Sequence, residues 1–174
     1  MGQLLYGGNE RGFVMAVMDR YGSPVMRFVR PFKFCAGCCG PCCACADCCL
    51  HEMNIECPIG NPVMHLVQQP NCSFTIVTIP LQADLAESRM FIHGPNICGN
   101  CCLCCCDRSF EIAYNGHVVG QITKHFMGYQ EMVSDADSYT IVFPPELDVR
   151  LKASLIGALI LIDYQSFETH SNQY

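Results

Sequence analysis

Cysteine is the residue type in this chain most able to do chemistry: sixteen occur in 174 residues, fourteen of them in two clusters. The first cluster is Cys35, Cys38, Cys39, Cys42, Cys43, Cys45, Cys48 and Cys49, set among Gly37, Gly40 and Pro41. The second is Cys98, Cys101, Cys102, Cys104, Cys105 and Cys106, following Gly94-Pro95. The N-terminal residues show neither a basic stretch nor an apolar run, so a secreted disulfide framework is not expected. Two-residue spacings such as Cys35/Cys38 and Cys98/Cys101 suit zinc or an iron–sulfur cluster. Adjacent Cys-Cys pairs, however, leave more sulfurs than a tetrahedral site uses. Thioester-linked palmitate needs only accessible thiols near a membrane, and crowded pairs in a Gly/Pro loop suit it. Each buried CH₂ of an acyl chain adds about 0.8 kcal/mol, so two or more chains anchor stably. Spacing alone leaves metal and acylation both open. The isolated Cys57 and Cys72 read as small buried hydrophobes.

Other chemistry is sparse. His51, His65, His93, His117, His125 and His170 are scattered singly, with no Ser-His-Asp or Cys-His signature and no phosphate-cradling glycine loop. No catalytic residue is expected, and the chain does not read as an enzyme. The formal net charge of −6 argues against a general electrostatic grip on nucleic acid or anionic lipid. Arg27, Arg30 and Lys33 could still form a local basic patch.

Short β-compatible runs must position these groups. They are Phe13 to Asp19, Val25 to Val29, Leu50 to Glu56, Pro62 to Gln68, Cys72 to Ile79, Arg89 to His93, Phe110 to Tyr114, His117 to Thr123 and Tyr139 to Phe143. Tyr21-Gly22 supplies one turn, and Asn115-Gly116 predicts a type I′ hairpin. Nine short strands suggest a sandwich or barrel. Pro144-Pro145 ends the last strand, and Asp148 can cap a helix starting near Val149. Ala153 to Ile162 is uncharged throughout. Ten residues at 1.5 Å each span about 15 Å against a bilayer core of about 30 Å. Length therefore favours a helix buried within protein. The wider stretch from Leu147 to Phe167 is long enough to cross but carries Asp148, Arg150, Lys152 and Asp163.

Several motifs resemble one family. Cys38-Cys39-Gly40-Pro41-Cys42-Cys43 looks like the acylated cysteine motif of phospholipid scramblases. Val118 to Gly128, Asp135-Ala136-Asp137, Phe143-Pro144, Leu147 to Ala153, Ile156-Gly157-Ala158 and Leu161-Ile162-Asp163 are similar to that family's signatures. The resemblance implies a mainly β fold: a tubby-like antiparallel barrel around a central apolar C-terminal helix. Here the barrel is expected to be incomplete, with its first strands missing and one face of the helix exposed. The resemblance implies ATP-independent, calcium-responsive, bidirectional movement of phospholipids between leaflets, with palmitate on Cys38, Cys39, Cys42 and Cys43. The rival is a membrane-tethered module that binds lipid headgroups or proteins without transport.

Departures from the family matter most at the calcium segment. Read as a twelve-residue loop, Asp135, Asp137 and Glu146 supply oxygen ligands, but Tyr139 and Thr140 occupy positions where an EF-hand has a ligand and a glycine. Ile141, Val142 and Phe143 read as a buried strand. Gln121 replaces a lysine common in the family's nuclear-import segment, so no nucleic-acid partner is expected. The domain organisation reads as an N-terminal extension over 1–10 and one domain over 11–168, with cysteine loops at 35–49 and 98–106, a helix at 149–164 and a tail at 169–174. Membrane phospholipids are the expected partners, with protein partners or self-association beside them. The expected location is the cytoplasmic face of the plasma membrane, and a single C-terminal span stays an open alternative.

Overall fold

The computed structural model describes residues 12–33, 47–70, 74–85, 87–95, 106–126 and 138–166. Nine strands form: β1 Phe13–Met18, β2 Pro24–Arg30, β3 Glu52–Glu56, β4 Pro62–Gln68, β5 Thr75–Pro80, β6 Met90–His93, β7 Arg108–Tyr114, β8 His117–His125 and β9 Ser138–Val142. The helix α1 runs Val149–Ser166. Each predicted strand has its counterpart, and the helix reaches two residues past its expected end.

Local chemistry sets the turns. Between β1 and β2, Asp19 Oδ1 accepts hydrogen bonds from the backbone N–H of Tyr21 and of Ser23 at 2.8 and 2.9 Å. This Asx-type arrangement supports the bend at Gly22, whose φ is 80°. Asn115 and Gly116 take φ values of 51° and 79°, the pair of positive angles that a type I′ hairpin needs. Asp148 Oδ1 accepts from the Arg150 N–H at 2.8 Å, satisfying one of the orphan donors of the first helical turn.

All nine strands pair antiparallel in sequence order. Register breaks in β1, β3 and β7 are the kind of irregularity that bends and coils a sheet. The sheet thus wraps the helix rather than lying flat. Its inner face supplies Phe28, Met53, Ile55, Leu66, Ile76, Ile92, Phe110, Ile112 and Ile122, all fully buried. The helix answers with Leu151, Leu155, Ala158, Leu161 and Ile162. Gly157 allows close approach: a Cβ there would lie 2.9 Å from Ile55 Cδ1 and 3.3 Å from Phe28 Cε1.

Among the described residues the wrap is not closed: β1 pairs with β2 alone and β9 with β8 alone. The expected incomplete barrel around a helix is what forms. Val149, Lys152, Ala153, Ile156, Leu159, Ile160 and Asp163 share one stripe of the helix, and none of them is buried. Ile156 is 44% exposed and Val149 76%.

Three expectations need correction. The stretch Ile141 to Phe143 is not a buried strand: Ile141 is half-buried, and Val142 and Phe143 are exposed. The reason is position, since β9 is the last strand of the sheet among the described residues. Cys57 is exposed rather than buried, because it sits in the β3–β4 turn; Cys72 lies outside the described residues. The nine methionines, with no helical period in the sequence, read most simply as core filler; Met53, Met64 and Met90 are fully buried, but Met15 and Met18 on β1 are exposed. No helix among the described residues is long and apolar enough to cross a membrane.

Candidate functional site

The first cysteine loop is rooted between β2 and β3. Cys38, Cys39, Cys42 and Cys43 lie outside the described residues, but both ends of their loop are placed. Lys33 Nζ reaches the carbonyl oxygens of Asp47 and Leu50 at 3.4 and 3.3 Å and pairs with Glu52 at 3.0 Å. One lysine therefore ties the outgoing and returning chain together. Asp47–Cys49 forms a single 3-10 turn, with Cys48 exposed and Cys49 buried. The Cys48 and Cys49 sulfurs stand 3.8 Å apart.

Beneath this root lies a buried cation that sequence reasoning missed. Arg30 is 3% exposed. Its Nη2 donates to His51 Nδ1 at 2.8 Å, and its guanidinium lies 4.0 Å over the Tyr164 ring. Tyr164 packs in turn on Phe13 at 5.4 Å. This stack joins β1, β2, the start of β3 and the end of the helix. An accepting Nδ1 assigns the His51 proton to Nε2, which is buried without a hydrogen-bond partner among the described residues. Burial first, then Arg30 and Lys33, pushes the His51 pKa down to about 4. The imidazole is neutral at physiological pH.

The expected basic patch does not survive. Arg30 is inside, Arg27 pairs with Glu56 at 2.6 Å, and Lys33 pairs with Glu52. The pairing partners come from β3, which sequence spacing does not bring beside β2.

Asp135 and Asp137 also lie outside the described residues. Glu146 is exposed in the turn before α1. Strand β9 occupies residues 138–142, so five residues of the twelve-residue window are extended. At roughly 3.3 Å per residue, β9 sets Glu146 more than a strand's length along the chain from position 137. Among the described residues no group of three His, Cys, Asp or Glu side chains could hold a metal ion.

One unanticipated constellation links β7, β8 and β9. His125 Nε2 meets Thr140 Oγ1 at 2.7 Å, and Nδ1 meets Asp107 Oδ2 at 3.2 Å. Asp107 also accepts from the Phe126 N–H at 2.8 Å. That backbone bond first, then His125, holds its carboxyl below the usual range. The chain of contacts has the connectivity of a nucleophile, base and acid. Its hydroxyl and carboxylate stand in open solvent, so it serves as a cross-strand clasp.

A model of the scramblase family matches residues 4–169. The chain belongs to the scramblase family. It is 37% identical over 169 residues to phospholipid scramblase 1 of Homo sapiens, covering 95% of this chain and 49% of that protein. It is 39% identical over 164 residues to phospholipid scramblase 2 of Homo sapiens, covering 92% and 51%. Phospholipid scramblase family member 5 of Homo sapiens is 30% identical over 161 residues, covering 91% and 55%. The chain spans about half the length of these curated scramblase relatives. No solved structure matches it.

Proposed function

We propose that this chain is a membrane-tethered, scramblase-like protein that promotes phospholipid movement between leaflets without ATP. The observation that carries this reading is the family match over nearly the whole chain. Palmitate on Cys38, Cys39, Cys42 and Cys43 would hold the loop root at the membrane, since two or more acyl chains suffice for stable anchoring. Calcium would act through Asp135 and Asp137, with Glu146 as a further oxygen ligand. Membrane phospholipids are the partners, and the cytoplasmic face of the plasma membrane is the place of action.

A second reading is favoured by the packing of α1. Leu155, Ala158 and Leu161 are fully buried against the sheet, so the helix is engaged in the protein core. A barrel with its helix so engaged suits a regulatory module that binds lipid or protein without transport.

Liposomes labelled in one leaflet separate the readings. Under the first, purified protein equilibrates the label when calcium is added, and D135N/D137N slows this while E146Q tests the third ligand. Binding without equilibration, with calcium present, supports the module and overturns transport. Hydroxylamine-sensitive lipid labelling that disappears in C38A/C39A/C42A/C43A tests the tether. One equivalent of zinc or iron per chain would replace it with a metal site.

A further inference from the structure

The antiparallel meander sorts its connections onto two ends. Successive strands alternate in direction, so every second connection leaves from the same end of the sheet. One end holds the links β1–β2, β3–β4, β5–β6, β7–β8 and β9–α1. The other holds β2–β3, β4–β5, β6–β7 and β8–β9. The last turn of α1 lies at this second end too, since Tyr164 meets Arg30 at the close of β2. Fifteen of the sixteen cysteines belong to the links of the second end, and Cys57 alone belongs to the first. Charge divides in the opposite sense. Residues 31–51, 69–74 and 94–107 hold Lys33, Asp47 and Asp107 as their only charged residues, and 126–137 adds Glu131, Asp135 and Asp137. The shorter links of the first end hold seven charged residues, Asp84 and Asp148 among them, both paired with Arg150.

We propose that the cysteine end of the sheet rests on a phospholipid surface and that Phe32 and Phe126 enter it, an inference that builds on the acyl tether proposed above. Chain length fixes where the lipid must be. Lys33 and Asp47 meet at the root of the first cysteine loop. Cys38 is five residues beyond Lys33, and Cys43 is four before Asp47. At full extension, about 3.5 Å per residue, a palmitoylated thiol stays within roughly 14 to 18 Å of that root. The bilayer therefore meets this end or the side wall next to it. The outer face of that wall carries the ion pairs Arg27–Glu56 and Lys33–Glu52, and taking paired charges out of water is costly. The end itself offers apolar groups. Phe32 is 65% exposed beside the loop root, and Phe126 is 39% exposed just past β8, where Asp107 holds its N–H. Cys48 and Cys106 are exposed at the same end. Apolar groups at the first end are tied to charge: Tyr21 lies under the Arg20 guanidinium, and Val149 stands between Asp148 and Arg150.

The chain contains no tryptophan, so a single introduced tryptophan reports one place. The test uses the full chain, acylated and purified from membranes, reconstituted with phosphatidylcholine vesicles whose acyl chains carry bromine. The neutral headgroup avoids repelling the acids of residues 126–137. F32W and F126W should each lose about half of their emission to bromine, because groups seated at the headgroup–acyl boundary lie within about 5–10 Å of the quencher. Y21W, I59W and V118W, at the other end, should each lose less than about a tenth. Circular dichroism checks that each variant folds, and the two phenylalanine positions are read independently. A wild type that does not float with vesicles would remove the tether, and this inference with it. Floating protein quenched at the turn end, at both ends, or at neither, as an end that faces a protein would be, overturns the orientation and leaves the tether standing.

Discussion

Leu155 and Ile156 are consecutive, equally apolar and differently placed. Leu155 is fully buried against the closed wall of the barrel, whereas Ile156 is 44% exposed on the open side. The same contrast holds for the strands. Central strands such as β5, with five of six residues buried, are shielded by neighbours on both sides. The rims β1 and β9 hold equally greasy residues in partial contact with water. Hydrophobicity placed these segments in or near the core. The number of strands decided which faces were covered.

Substitutions can break or sharpen this contrast. Leu155→Ala should cost about 2–5 kcal/mol, the usual range for emptying a packed leucine site, while Ile156→Ala should cost less than about 1 kcal/mol. Urea denaturation of both variants measures the difference. Equal losses would mean that the open side is covered.

Acid should loosen the buried stack of Arg30, His51 and Tyr164. Burial, then Arg30 and Lys33, push the His51 pKa down to about 4 from the ordinary imidazole value of 6.5. As pH falls, the unfolded chain takes up this proton first. The stability present at neutral pH is therefore lost progressively from about 6.5 to about 4, on the order of 3 kcal/mol in all. His65, lowered first by burial, adds in the same direction. Glu56 and Asp148 are shifted downward as well, through hydrogen bonds that favour the charged form. Their contribution is kept above the ordinary carboxylate range and lost only at more acid pH. Urea midpoints of His51→Gln across pH 7 to 4 should slope less than wild type without becoming flat.

At the rim, Gly120→Ala tests how β9 is held. A Cβ on Gly120 would fall 2.1 Å from the Val142 carbonyl oxygen, a backbone atom that cannot swing aside. The expected loss is about 2 kcal/mol, with faster amide exchange confined to β8 and β9. Smallest is the helix start. Asp148→Ala should cost about 1 kcal/mol, and Asp148→Asn should recover most of it because the amide oxygen still caps.

Much of the fold was legible because its signals are local. Asn115-Gly116, Asp148 before the helix and the alternation in β3 each encode their own geometry. The uncharged run from Ala153 to Ile162 also announced a helix that needs surroundings. What escaped was long-range. Nothing in the spacing of Arg30, His51 and Tyr164 shows that β2, β3 and the helix end converge on one buried cation. The pairing of Arg27 with Glu56 dissolved a basic patch that looked continuous along the chain, and the clasp of Asp107, His125 and Thr140 depends on three separate strands. Edge position is equally non-local: Val142 and Phe143 look like core residues until β9 is seen to end the sheet among the described residues. Of the candidate site, the cysteine and aspartate motifs were legible as family signatures. Their geometry falls outside the described residues, apart from the loop root and Glu146.

The placement of α1 is most directly tested by topology. Epitopes fused before Met1 and after Tyr174 can be read by protease protection on sealed membranes carrying the protein. A helix held inside the sheet leaves both epitopes on one side, protected or cleaved together. Cleavage of the C-terminal epitope from the face opposite the N-terminal one would show that Val149–Ser166 threads the bilayer, and would contradict its burial against Phe28 and Ile55.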